Sequence, residues 1–492
     1  MGARSRPVVV IGAGMGGLVT AALLAAKGRD VLVLERAAMP GGKIREVMVD
    51  GVPVGVGPAL LTLRPLFESI FSEAGGHLDR LGLVPEALLG RHAWVDGRRL
   101  DLPVDPAAAE AAIGDFAGAA AVTGYRAFRD RAKRIHDALE GPFLTAQRPG
   151  ALALAMQSGL RRLLGTSPFS GLWESLAVLF PDPRLRQVFA RVATYVGSSP
   201  LQAPATLMMV SHVEQQGLWA VPGGMPCLAE ALAALAEARG AAFRYCAEAR
   251  AITVAGGRAA GVTLADGEVV EASAVVFNGD APTLAAGRYG RAVTSAVEAL
   301  APERRSFSAV TWALRATVEG FAPARQTVVH ADDPTAEYAE IGYRAKLPTT
   351  PTVTLVAQDR GDGAVPEGPE RLLAMISAPA RADSRPLTED AIARCGEVVF
   401  DRLGRAGLTV HRRPEAEVVT TPAGWDRLFP GVGGSLYGPA VHGWQAAFSR
   451  PGARTKLPGL FLAGASAHPG AGVAMAAISG RLAAARVMEE KA

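Results

Sequence analysis

Four β-branched residues, Val8-Val-Val-Ile11, run directly into Gly12-Ala-Gly-Met-Gly-Gly17. A short apolar run without polar alternation is the pattern of a strand buried on both faces of a parallel sheet. Leu18 to Ala26 reads as an Ala/Leu-rich helix, with Lys27-Gly28 as its stop. Asp30 leads into a second buried strand, Val31 to Leu34, which ends at Glu35. Strand, glycine turn, helix and strand in this order form the βαβ unit of a dinucleotide-binding domain. Gly12 permits the tight turn, Gly14 lets backbone approach a pyrophosphate, and Gly17 lets helix and strand pack closely. The pyrophosphate then rests on the helix N-terminus, where free N–H groups and the helix dipole favour an anion. Ala13, Met15 and Gly16 belong to the same cradle. Glu35 is placed to accept the ribose hydroxyls, and its charge repels a 2′-phosphate, which argues against an NADP-type ligand.

The same segment imitates a membrane signal. Val8 to Ala26 is 19 residues without a charge, and it follows Arg4 and Arg6. The four glycines break it, as Gly464, His468, Pro469, Gly470 and Gly472 break a second apolar stretch, Leu460 to Ser479. The expectation is a soluble or peripheral protein. With 49% hydrophobic and 20% charged residues, the 492-residue chain has material for a large core and is not a disordered one. Roughly 150 residues per domain suggests about three units. The net charge of +4 and the lack of a basic stripe argue against a nucleic-acid partner. Cys227, Cys246 and Cys395 form no CxxC, which excludes a disulfide scaffold and a cysteine zinc site. No metal is expected, and the cysteine usage suits a reducing cytosol.

The residues after Glu35 separate FAD from NAD. Met39-Pro-Gly-Gly-Lys43 offers a second close backbone approach through Gly41 and Gly42, and Lys43 can face a phosphate or a flavin edge. Val56-Gly57-Pro58 suggests another turn near the cofactor. Residues 63–210 read mostly helical, apart from a hairpin at Arg91 to Leu102 around Asp96-Gly97. Ala151 to Leu164, followed by Phe169, Leu172, Trp173 and Leu176, reads as a core helix or as an interfacial helix with its apolar face in lipid. Trp219 to Met225 opens a helix over Pro226 to Ala238, and short strands continue up to Ala274-Val-Val-Phe277. Ser308 to Leu314, Thr352 to Ala357 and Leu372 to Ser377 suggest a separate antiparallel sheet. Near the end, Gly459 to Gly464 is a strand running into a glycine turn, and Gly472 opens the helix Val473 to Met488. That helix N-terminus suits the N1/C2=O edge of a reduced flavin. First and last segments thus grip one FAD from its two ends.

These motifs resemble the carotenoid desaturases of the phytoene desaturase type, FAD-dependent flavoproteins related in fold to amine oxidases. The resemblance runs from Pro7 to about Arg486. Arg91 to Gly97, Ala193 to Gly197, Glu214 to Ala220, Phe277 to Asp280, Ala357 to Arg360 and Thr420 to Pro422 are most similar to the branch acting on neurosporene-type carotenoids in purple bacteria. It implies an α/β (α+β composite) fold: a Rossmann-like FAD-binding domain of the amine-oxidase/phytoene-desaturase type with a discontinuous substrate domain. Residues 1–85, 211–290 and 415–492 are expected to form the FAD-binding domain. Residues 86–210 form a helical, membrane-facing region and 291–414 an antiparallel substrate sheet. Arg36, Ala59, Ala249, Asn278, Gly464, Ala465, Gly472, Val473 and Ala474 join the cofactor set through the resemblance. The chain departs from the family pattern at Gly55, where an acid is usual, at Ala467, where a threonine is usual, and at Ala474, where a proline is usual.

The reaction the resemblance implies is 3,4-desaturation of a 1-hydroxy or 1-methoxy carotenoid, with phytoene desaturation as the alternative. A carotenoid C–H is barely acidic, so the site needs an electron acceptor and a positioned polyene more than a strong base. No Ser/His/Asp or paired-carboxylate arrangement is visible, which agrees. His468, in the loop before the last helix, is the catalytic candidate, with a backbone-bonding structural role as its alternative. The final electron acceptor, a quinone or oxygen, and the oligomeric state stay open. The expected location is cytoplasmic, peripheral to the inner or intracytoplasmic membrane, with the lipid surface as a partner. Two other classes share the architecture. An amine or porphyrinogen oxidase would bring aromatic or charged groups to the flavin, and a non-catalytic prenyl-protein escort would tolerate loss of the glycines and Glu35 that this chain keeps.

Overall fold

A computed structural model of the chain describes residues 6–150, 156, 169–361 and 365–490. Strand β1 (Val8–Ile11) lies in the middle of a five-stranded parallel sheet, between β2 (Val31–Leu34) and the strand Ala274–Phe277; strands Leu460–Leu462 and Ala242–Arg244 form its edges. Strand order therefore reverses direction around β1, and a ligand crevice opens at the carboxyl ends of such strands. Helix α1 (Met15–Ala26) is apolar all round and almost wholly buried, because it is enclosed by the sheet, the helix Pro226–Ala238 and the C-terminal helix Val473–Glu489. An antiparallel meander (Ala249–Ala255, Arg258–Leu264, Val269–Glu271) covers the opposite face, where Ile252 and Val262 join Val9, Ile11 and Leu34.

A second, eight-stranded sheet is built on the long strand Ser308–Gly320, paired with Glu370–Ala378, Leu408–His411 and Glu417–Thr420. It continues through Val353–Ala357 and Gln326–Val329 to the hairpin Leu88–Ala93 and Arg99–Pro103. The sheet is mixed rather than purely antiparallel, since Gln326–Val329 pairs in parallel with Leu88–Ala93 (Thr327 opposite Arg91). One face carries Trp312, Leu314, Leu372 and Ala374 against the helix Glu389–Arg405. The other carries Ala313, Val356 and Leu373 against Val49, Val54 and Val56.

Helices Pro106–Ala117, Ala119–Leu139, Leu172–Leu179, Pro183–Ala190 and Met209–Gln215 share a third core around Tyr125, Phe128, Phe180 and Phe189. The expected interfacial helix at 151–164 lies outside the described residues, except Met156, which is exposed. Its proposed extension is corrected at Leu172 and Leu176: both are fully buried in this core and cannot meet lipid. Phe169 and Val178, at 69% and 85% exposure, are the apolar side chains that face outward there. No helix among the described residues is long and apolar enough to cross a membrane.

Candidate active site

The glycine turn after β1 packs on Asn278 at the end of the neighbouring strand. Asn278 Nδ2 donates to Gly12 O at 3.0 Å. Gly12 has φ +96°, which a side chain would strain. The helix begins at Met15, earlier than the sequence suggests, so Gly16 and Gly17 form its first turn. Their glycine identity has a tertiary cause. A Cβ on Gly16 would lie 2.6 Å from Gly464 N, and one on Gly17 would lie 2.1 Å from Gly12 O. A Cβ on Gly480 of the C-terminal helix would meet Gly16 O at 2.3 Å. The helix Met15–Ala26 and the helix Val473–Glu489 thus touch backbone to backbone. Thr20 Oγ1 donates to Gly16 O at 2.8 Å, and Gly464 N–H donates to Ser479 Oγ at 2.7 Å.

Glu35 is buried, and its carboxylate accepts from Ala13 N–H at 2.7 Å and Ala37 N–H at 2.8 Å. Each oxygen keeps a lone pair for a ribose hydroxyl. Gly41 and Gly42 close the other wall: Gly41 N–H donates to Ala13 O at 2.8 Å, and a Cβ on Gly42 would lie 3.2 Å from Gly14 Cα. Gly57 also has no room, since its Cβ would meet Lys43 O at 2.2 Å. At Gly55, the backbone is clamped on both sides by Gln358, at 2.9 Å each way. Lys43 Nζ donates to Leu436 O at 2.8 Å and pairs with Asp280 at 3.5 Å, so it ties loops together. Arg36 turns outward to Arg427 O.

Neither α1 nor the C-terminal helix has a side-chain cap or a first-turn acid. Their free N–H groups and positive ends are left for a ligand. Between them Gly42, Gly57, Ala59, Ala249, Asn278, Ala465 and Val473 are partly exposed, Pro58 and Gly472 more so, while Ala474 is buried. A glycine cradle with no room for a Cβ, an acid with spare lone pairs and two uncapped helix ends fit an extended dinucleotide such as FAD.

His468 is buried, and its Nε2 lies 2.8 Å from Phe143 O and 3.2 Å from Ala146 O. Two carbonyls can only accept, so Nε2 carries the proton and fastens the helical unit to the loop before the last helix. Nδ1 is buried without a partner among the described residues. Burial holds the imidazole below its usual pKa, so it is neutral. Sequence reasoning missed Arg450, whose guanidinium binds Tyr437 O at 2.9 Å, Pro439 O at 2.7 Å and Ala465 O. Burial pushes it down to about 10. The signal available was the Tyr437-Gly438-Pro439 turn, with Gly438 at φ +74° packed on Ser466. In the helical unit His136, Asp137 and His212 come together, with Asp137 engaged by Lys133 at 2.5 Å.

Fold and cradle together define a flavin-containing oxidoreductase. Residues 15–488 match the family described as flavin containing amine oxidoreductase. The hydroxyneurosporene desaturase of Rubrivivax gelatinosus is 46% identical over 99% of this chain and 94% of its own, and that of Cereibacter sphaeroides 43% identical over 99% and 98%. Putrescine oxidase bound to putrescine superposes with a TM-score of 0.58 at 16% identity, covering 99% of both chains, which shows the common fold. The chain belongs to the flavin containing amine oxidoreductase family, in its carotenoid-desaturase branch, and its cofactor is FAD.

Proposed function

We propose that the protein removes two hydrogens from the C3–C4 bond of a neurosporene-type carotenoid already hydroxylated or methoxylated at C1. The observation that carries this reading is full-length similarity above 40% to relatives named for hydroxyneurosporene. When bound, FAD would supply the two-electron acceptor for a hydride from the allylic carbon C4, and the neighbouring C3 releases a proton to solvent as the double bond forms. The chain's own part is positional. Asn278, Gly16 and Gly464 hold the first glycine turn against the turn after Leu460–Leu462, Glu35 holds the ribose, and Arg450 fixes the 437–439 and 465 loops beside the last helix. No charged residue is needed at the reacting carbons, because conjugation stabilises the developing cation. The substrate comes from a lipid surface, met through the exposed, edge-packed pair Phe169 and Trp444, and the electrons pass on to a quinone or oxygen. Expression in cells accumulating 1-hydroxyneurosporene should lengthen the chromophore by one double bond. Accumulation of neurosporene or lycopene from phytoene instead would replace this reading with phytoene desaturation.

A further inference from the structure

The proposed substrate carries one oxygen on a hydrocarbon chain. Strong discrimination for that oxygen requires a buried polar partner that is left unpaired when the oxygen is missing. A small chamber between the helical unit and the inner face of the mixed sheet has this character. Trp173, Ala190 and Val328 give it apolar walls, while Arg191, Tyr195 and His330 bring polar groups to it. Its free volume is about 30 Å³, enough for a hydroxyl or a water.

The polar groups there are held rigidly yet not used up. Tyr195 Oη accepts from Gln326 Nε2 at 3.2 Å, and its own O–H meets no acceptor among the described residues. Burial pushes Tyr195 up to about 12, so it stays a neutral donor. Arg191 and Glu214, both buried, pair loosely at 3.3 Å, with the guanidinium over the Tyr195 ring. His330 Nε2 lies 2.9 Å from His92 Nδ1, and the ring stacks on Trp94. His92 Nε2 is buried without a partner among the described residues. An orphaned lone pair costs less than an orphaned N–H, which assigns the proton to His92 Nδ1 and leaves His330 with Nδ1–H as its uncommitted donor. A hydroxyl or an ether oxygen can accept from both Tyr195 and His330.

The chamber also lies beside the cofactor loops. Two residues after Tyr195, Gly197 is so close to Tyr437 that a Cβ would fall 2.3 Å from its ring, and the following Gly438 packs on Ser466. Thr354 of the chamber and Val356, which shares a core with Val54, lie on one face of the strand Val353–Ala357, and Gln358, just past its end, holds Gly55. The C1 oxygen is a few bonds from C3, so its seat must adjoin the place of reaction.

We propose that this chamber seats the C1 oxygen and that the Tyr195 hydroxyl is the specificity-determining donor, an assignment that rests on the substrate reading above. The test compares kcat/KM of the FAD-loaded enzyme and of Tyr195→Phe on 1-hydroxyneurosporene, 1-methoxyneurosporene and neurosporene. The wild type should prefer the two oxygenated substrates, and Tyr195→Phe should lower that preference about tenfold for both, with FAD content unchanged. A wild type that prefers oxygenated substrates and a variant that keeps the full preference would overturn the chamber while leaving the function standing. A wild type with no such preference would overturn the substrate reading and the chamber with it.

Discussion

Asn278 and the glycines around it show how single atoms set the shape of the glycine cradle. The Asn278 amide reaches Gly12 O, and its Oδ1 would lie 2.8 Å from a Cβ on either Gly16 or Gly464. Gly16→Ala should therefore cost about 1–3 kcal/mol of stability through overpacking and lower FAD retention. Denaturant unfolding together with flavin absorbance after gel filtration checks both. Glu35 acts through charge and lone pairs. Glu35→Gln keeps its shape but presents an N–H₂ to one of two backbone donors, and should weaken FAD binding about tenfold. Equal FAD affinity in a titration would remove Glu35 from the ribose site.

At the scale of elements, punctuation decided what could be read in advance. The strand Ala274–Phe277 and the helix Pro226–Ala238 match the sequence reading, because Asn278-Gly279 ends the one and Pro226 opens the other with Gly240 beyond its end. The hairpin Glu46–Val49 and Val52–Gly55 went unread although its signal is strong: Asp50-Gly51, both at positive φ, stand between alternating apolar residues. The start of α1 at Met15 was hidden, because Gly16 and Gly17 read as loop until the distant Gly464 and Gly480 are known. The parallel pairing of 326–329 with 88–93 leaves no local trace at all. His468 shows the same limit. The sequence placed it near the flavin, but its bond to Phe143 O, far away along the chain, gives it a fastening role. His468→Leu should lower stability by about 1–3 kcal/mol by leaving that buried carbonyl unpaired, while turnover per FAD-loaded molecule falls less than tenfold. A far larger loss of turnover at normal FAD content would make it catalytic.

On the scale of the whole molecule, buried imidazoles make folding sensitive to acid. Burial pushes His330 down to about 3 and His442 to about 4, whereas both take up protons near 6.5 when unfolded. Below that pH the unfolded chain binds more protons, so stability falls as pH falls. Glu337, raised to about 7 by burial, acts in the opposite sense between pH 4.5 and 7. His442→Gln removes one proton from the difference, and the slope of unfolding free energy between pH 4.5 and 6 should become shallower by up to about 1.4 kcal/mol per pH unit. Urea titrations at several pH values measure it. The exposed Phe169–Trp444 pair gives a second expectation: Phe169→Asp with Trp444→Asp should reduce sedimentation with liposomes at unchanged FAD content. An anaerobic single turnover tests flavin-dependent desaturation of the oxygenated carotenoid most directly. Mixed with the purified FAD-loaded protein, 1-hydroxyneurosporene should bleach the flavin absorbance in step with the gain of one conjugated double bond, one flavin per bond formed. Bleaching by phytoene and not by 1-hydroxyneurosporene, or chromophore extension without flavin reduction, would contradict it.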